Sequence, residues 1–143
     1  MSYRYIDSVT VSDVAFTARG KTVEKLFLAC WDATLNVMVG NPQAIDKKII
    51  KKFEIKNRDL DMLLFDFLQE LIYYKDAEGI FLRIEHITIH RSDTGYSLSA
   101  DVKGERIDRS KHKVLVDVKA VTMHRFNVEH VGGIWHATVV LDV

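Results

Sequence analysis

The chain has 143 residues, 48% of them hydrophobic and 28% charged, the balance of a soluble globular protein large enough to bury a real core. Lysine and arginine total 20 and aspartate and glutamate total 20, for a formal net charge of zero. That argues against a dedicated electrostatic nucleic-acid binder, which carries a basic excess. The single cysteine excludes an intrachain disulfide and a thiolate-rich metal site.

The N-terminal stretch "MSYRYIDSV" lacks the apolar core of a signal peptide, and no run reaches membrane-spanning length. The sequence therefore predicts a cytoplasmic protein with no membrane partner. "VTVSDVAFTARG" reads as a strand, with Val14, Phe16 and Ala18 on one face and Asp13, Ala15 and Thr17 on the other. Thr22 is placed to cap a helix running to about Val39, in which Val23, Leu26, Phe27, Cys30, Thr34, Val37 and Met38 keep the 3.6-residue period. Cys30 in this apolar run reads as a small packed hydrophobe. Gly40, Asn41 and Pro42 stop the helix.

"KKIIKKFEI" predicts a short strand whose lysines guard an exposed edge. Asp59 opens a second helix with a broad apolar stripe (Leu60, Leu63, Leu64, Phe67, Leu68, Leu71), and Gly79 ends it. "IFLRIEHITIH" alternates like a strand but shifts phase near Glu85 and His86, the signature of a β-bulge. Asp93, Thr94 and Gly95 turn the chain into "YSLSADVKG". After a polar loop come two long strands, about Leu115–Glu129 and Ile134–Val143, joined at Gly132 and Gly133. Strand, helix, strand, helix and then strands only is an α+β pattern. It predicts a mostly antiparallel sheet with two helices packed together or on one face, in a single domain over 1–143 with no linker, repeat or low-complexity segment.

In the last strand, Trp135, Ala137, Val139, Leu141 and Val143 form a core face, and His136, Thr138, Val140 and Asp142 form the other. Asp142 and the main-chain end at Val143 are hard oxygen donors, suited to Ca²⁺ or Mg²⁺ rather than Zn²⁺. Two donors do not make a site, and a solvated strand end is the plain alternative. In "LVDVKAVTMHRFNV" the alternation places Lys119 in mid-strand, on one face with Asp117, Val121, Met123 and Arg125. A charged side chain there is paired or functional, and an ion pair with Asp117 is the structural option. His124 falls with Val118, Ala120 and Phe126, as a core histidine would. His86 and His90 lie roughly 13 Å apart along a strand, too far for one zinc ion.

"DVKAVTMH", the hairpin "GGIWHATVV" and the terminal "LDV" together resemble the C-terminal signature of the archease family. The likeness extends through "GERIDRSKH", "DAEGIFL" and "SDVAFTARGKT", covering nearly the whole chain in one register. The resemblance implies a small α+β accessory protein of an RtcB-type RNA ligase, which joins cleaved tRNA halves using GTP, metal ions and a guanylylated histidine. On this expectation the protein promotes guanylylation of the ligase and repeated turnover, is not itself an enzyme, and meets tRNA only indirectly. A general chaperone or protein-modulating factor is the alternative. The resemblance further implies a divalent metal of the calcium type, with Mg²⁺ or Mn²⁺ as alternatives, bound by Asp13, Asp142 and Val143, whose place at the chain end it would explain. It puts the functional lysine at Lys119 and the family's acidic pair at Asp76 and Glu78. The chain departs from the family pattern: the N-terminal motif lacks its histidine, Asp7 stands two residues farther from Asp13 than the family spacing, and Met123 replaces a tyrosine. "KHKVLVD" also lacks the small and polar residues expected before the strand.

Overall fold

The computed structural model describes residues 1–6 and 13–143. Within the described residues seven strands form two sheets rather than the single sheet anticipated. They are β1 (Ser2–Ile6), β2 (Asp13–Gly20), β3 (Ile49–Asn57), β4 (Ile80–Ser92), β5 (Gly95–Arg106), β6 (Ala120–Val131) and β7 (Ile134–Asp142). The four-stranded sheet runs β1-β2-β7-β6 and the three-stranded sheet runs β3-β5-β4. Every pairing between these strands is antiparallel, so the α+β expectation holds with one more sheet than expected.

Helix α1 (Val23–Met38) begins where Thr22 takes the Lys25 N–H on its side-chain oxygen, as its capping position predicts. Its buried residues, from Leu26, Phe27 and Ala29 to Trp31, Ala33, Leu35 and Met38, extend well beyond one stripe. A helix that is apolar on several sides must be enclosed, and α1 packs on β1, β2 and β7 of one sheet and β4 of the other. Two side-chain bonds fix it between them: Trp31 Nε1 donates to the Leu82 carbonyl at 2.9 Å, and the Tyr5 hydroxyl donates to the Ala33 carbonyl at 2.7 Å. Truncating the fully buried Trp31 to alanine would cost about 3–5 kcal/mol. Helix α2 (Leu60–Tyr73) packs on α1, on β6 and on β3 and β5. Phe67 meets Phe27 and Trp31 at ring-centroid distances of 5.5 and 4.9 Å.

Asp59 is the N-cap of α2, but its side chain makes no capping bond. Asn57 organises that junction instead, accepting the Asp59 N–H at 3.1 Å and donating to Asp66 at 3.0 Å. The helix leaves through a π-turn (Tyr74–Glu78) that closes at Gly79, whose φ of 65° is left-handed, a conformation glycine adopts without penalty.

The phase shift read in β4 is a true irregularity, lying between Ile84 and His86. β3 is an edge strand, and two of its lysines are ion-paired: Lys51 with Glu78 at 3.3 Å and Lys52 with Asp101 at 3.6 Å. The strand expected from Leu115 starts only at Ala120. Residues 107–119 cross from the three-stranded sheet to the four-stranded one. Within β6, Thr122 faces Val140 and Asn127 faces Thr138, so residues 123–126 bulge out opposite Val139. Arg125 in that bulge has a φ of 56°. His124 is exposed there, so the core histidine is a correction: the bulge breaks the alternation that placed it inward.

Candidate functional site

The expected metal residues meet at one end of the four-stranded sheet. In the β2–β7 register Asp13 stands directly opposite Asp142. On the other side of β7, Asp142 faces Ala120, the first residue of β6. Directly opposed residues of an antiparallel pair have Cβ atoms about 4.5–5.5 Å apart, and like charges in that position repel. A divalent cation between the two carboxylates reverses the sign of that interaction, and the small side chain of Ala120 leaves the flank of Asp142 open. Asp13, Asp142 and Val143 are all half-buried. Among the described residues no three His, Cys, Asp or Glu side chains converge on one point. A calcium ion needs roughly 6–8 oxygens, so two carboxylates fit it only if main-chain oxygens such as that of Val143, and water, complete the shell. The donor set is all oxygen, which matches a hard cation. Asp7, the departure at the N-terminal motif, lies outside the described residues.

Lys119 is tied to this end through its backbone. Its N–H donates to the Asp142 carbonyl at 2.8 Å, immediately before β6 begins. The side chain is exposed rather than set among apolar neighbours in mid-strand, and it makes no ion pair with a described residue. The expected partner, Asp117, is engaged elsewhere. Val118 and Val121 are both buried, which shows that the alternation changes phase between residue 118 and the start of β6.

The partner of Asp117 is Lys75, a residue the sequence reading passed over. Its Nζ lies 2.5 Å from Oδ1 of Asp117 and 2.5 Å from Oδ1 of Asp76. The lysine side chain is only 7% exposed, while those of Asp76 and Asp117 are 56% and 69% exposed. Burial pulls the ammonium pKa down, but hydrogen bonds to Asp117 and Asp76 outweigh it and hold the pKa above the ordinary lysine value. The sequence did carry a signal: Lys75 falls four residues after Leu71 and seven after Leu68, in phase with the apolar stripe of α2, where a charge is rare unless paired. Through Lys75, Asp76 joins the segment that carries Lys119. Glu78 does not join it; it reaches back to Lys51 on β3.

A second polar cluster holds the other end of the crossing segment. Glu105 and His112 are buried, with His112 Nε2 3.0 Å from Glu105 Oε2. The Asp108 N–H donates to His112 Nδ1 at 3.0 Å, so Nε2 carries the proton and donates to Glu105. Glu105 also accepts the Asp46 N–H at 2.6 Å and the Lys111 ammonium at 2.8 Å. Burial raises the Glu105 pKa, but the Asp46 amide, Lys111 and His112 prevail and lower it to about 2. Gly104, just before Glu105, lies so close to β4 that a Cβ there would sit 1.8 Å from the Phe81 carbonyl oxygen. Cys30, the remaining reactive side chain, is fully buried, and burial pushes its thiol pKa up, so it packs as the small hydrophobe expected.

Comparison with known proteins places the chain in a family. The profile of the Archease protein family (MTH1598/TM1083) matches residues 3–143. The chain belongs to the archease family. It is 34% identical to the protein archease of Pyrococcus abyssi over 92% of this chain and 93% of that one. It is 31% identical to the archease of Methanosarcina barkeri over 99% of this chain and 95% of that one. Among solved structures, Methanobacterium thermoautotrophicum protein 1598 superimposes with a TM-score of 0.84 at 30% identity, covering 99% of this chain and 98% of that one. A Thermotoga maritima archease, described as a possible chaperone, shares the fold with a TM-score of 0.66 at 19% identity, over 94% of this chain and 93% of that one. No helix among the described residues is long and apolar enough to cross a membrane.

Proposed function

We propose that this member of the archease family is an accessory factor for an RtcB-type RNA ligase, promoting guanylylation of the ligase and its repeated turnover rather than catalysing a reaction itself. tRNA enters only as the ligase's substrate, and the cytoplasm is the setting. The observation that carries this reading is the register that sets Asp13 opposite Asp142, with the Lys119 amide bonded to the carbonyl of that same Asp142. Two carboxylates and one exposed lysine are thereby held at a single sheet end.

Asp13, Asp142 and a main-chain oxygen of Val143 would hold a divalent cation, calcium first, with magnesium or manganese as alternatives. The cation would supply positive charge, and a preference for oxygen ligands, at the point of contact with the ligase. Lys119 does a different job. An ammonium beside anionic ligands does not coordinate, but it pairs with a nucleotide phosphate or with a carboxylate of the ligase. Asp76 and Glu78 are exposed carboxylates at the end of α2, paired within the chain to Lys75 and Lys51, and their outward oxygens would meet basic groups of the same partner. The other proposal for this chain, a general chaperone, needs no metal and no particular lysine.

The test is to incubate the ligase with radiolabelled GTP, with and without this protein, and follow covalent label on the ligase. The expected result is a faster, more complete guanylylation that is lost with Asp142→Ala and with Lys119→Ala. An unchanged rate with wild-type protein refutes the activator reading. Suppression of ligase aggregation alone, equal in all variants, assigns the protein to the chaperone class.

A further inference from the structure

Lys75 is the least expected charge in the molecule. It is a lysine with its side chain almost wholly enclosed, carried on a π-turn, in a chain whose other lysines are more exposed. Enclosing an ammonium is costly unless it is paired and hydrogen-bonded, and Lys75 is paired twice. Its two partners come from different places: Asp76 follows it in the π-turn, and Asp117 belongs to the segment that crosses between the sheets. That crossing segment has no strand partner from Leu115 to Lys119. Among the described residues its attachments are few: the Leu115 N–H to the Met38 carbonyl at 2.8 Å, buried Val118, the Lys119 N–H to Asp142 at 2.8 Å, and Lys75 on Asp117. Of these, only the Lys75 bond reaches it through charged side chains, and it acts two residues before Lys119.

We propose that Lys75 is a positioning residue for Lys119: its enclosed ammonium clamps Asp117 to the end of α2 and so fixes the segment that aims Lys119 beside Asp142. The π-turn contributes directly. It carries Lys75 in phase with the apolar stripe of α2, so the ammonium is enclosed on the inner side, and it places Asp76 next in the chain as the second partner. A role for Lys75 as a nucleophile has no support in the geometry. Both carboxylates hold its proton, and their bonds keep the ammonium charged. This inference rests on the proposed role of Lys119 and adds how that lysine is held.

The experiment uses the full chain with its ligase, GTP and calcium. Lys75→Met keeps the apolar stem and removes the charge; its two former partners are exposed and remain solvated. The expected result has three parts: amide hydrogen exchange at Val118 and Lys119 accelerates at least tenfold while exchange around Trp31 and Phe67 is unchanged, calcium affinity shifts less than twofold, and stimulation of ligase guanylylation falls at least fivefold. The double variant Lys75→Met/Asp117→Asn should be no worse than either single one, because one bond is being removed. Asp117→Asn alone breaks the clamp from its exposed side and supplies the same readouts should Lys75→Met not fold. Unchanged exchange at Val118 and Lys119 overturns the clamp. Faster exchange with full stimulation also overturns it, leaving Lys75 a stabilising residue only. Should the wild-type protein give no stimulation, the activator reading fails, and exchange together with the double-variant comparison still decides whether the clamp exists.

Discussion

The molecule has two polar clusters at the two ends of one crossing segment, and they are built on opposite rules. Around Glu105 every charge is answered: His112 donates one proton, Asp46 offers an amide, and Lys111 closes the outer side. At the end of the four-stranded sheet, two carboxylates stand face to face in register and the lysine beside them points to solvent. The first arrangement has nothing left over with which to bind a ligand. The second sets two like charges in register and leaves an exposed ammonium next to them, which suits the role proposed for it. The contrast teaches that a buried, fully satisfied network can serve as the anchor from which a less comfortable cluster is held out.

The contrast is easiest to break at its anchored end. Glu105→Leu removes the acceptor of several donors, one of them the enclosed His112, and should lower stability by about 2 kcal/mol. Urea unfolding measures the loss, while titration calorimetry of calcium binding should show an affinity within twofold of wild type. A large fall in calcium affinity would mean that the two clusters are not separable. The same carboxylate predicts a pH dependence. Its folded pKa is about 2 against an ordinary 4.5, so its contribution is present above pH 4.5 and disappears as the pH falls from 4.5 toward 2. The gap in melting temperature between wild type and Glu105→Gln should therefore be full at pH 6 and close progressively below pH 4.5.

Smaller stability effects, of the opposite sign, belong to the other end. Asp142→Asn relieves the repulsion with the carboxylate opposite it, so metal-free protein should gain on the order of 0.5 kcal/mol, and calcium affinity should drop at least tenfold with it and with Asp13→Asn. Loss of both stability and affinity would mark these aspartates as structural. Lys119→Ala should change stability least, by under about 0.5 kcal/mol, and yet abolish stimulation of the ligase. A Lys119→Ala protein that unfolds readily would return that lysine to a structural role.

Legibility in the sequence followed the range of the interactions involved. Local signals read correctly: the Thr22 cap, the stop at Gly79 and the bulge beside Glu85 each depend on a few neighbouring residues. The neighbouring placement of Asp13 and Asp142 came from resemblance rather than periodicity, because register between β2 and β7 is a property of the whole sheet. Reading failed where pattern and packing part company. β1 is a short edge strand with four exposed residues of five, so it shows little amphipathic signal, although its Tyr5 reaches α1. Lys119 was placed in mid-strand because alternation cannot announce where pairing begins. His124 was turned inward because a bulge resets the phase without a glycine or proline to mark it. Two sheets instead of one were invisible for a similar reason: a strand's two faces can be read from its residues, but which strands share its sheet cannot.

The pairing of β2 with β7 also has a consequence in time. A ribosome delivers β2 near the start of the chain and β7 on the order of ten seconds later, at ordinary rates of synthesis. Throughout that interval α1, which needs walls from both sheets, has only part of its enclosure, and Trp31, Phe27 and Leu35 have no complete surface to pack on. Contacts between such distant parts of a chain form slowly because loop closure precedes any reward. The nascent protein thus leaves part of its core uncovered until the β6–β7 hairpin emerges, and it closes that core and assembles the Asp13–Asp142 end in the same event.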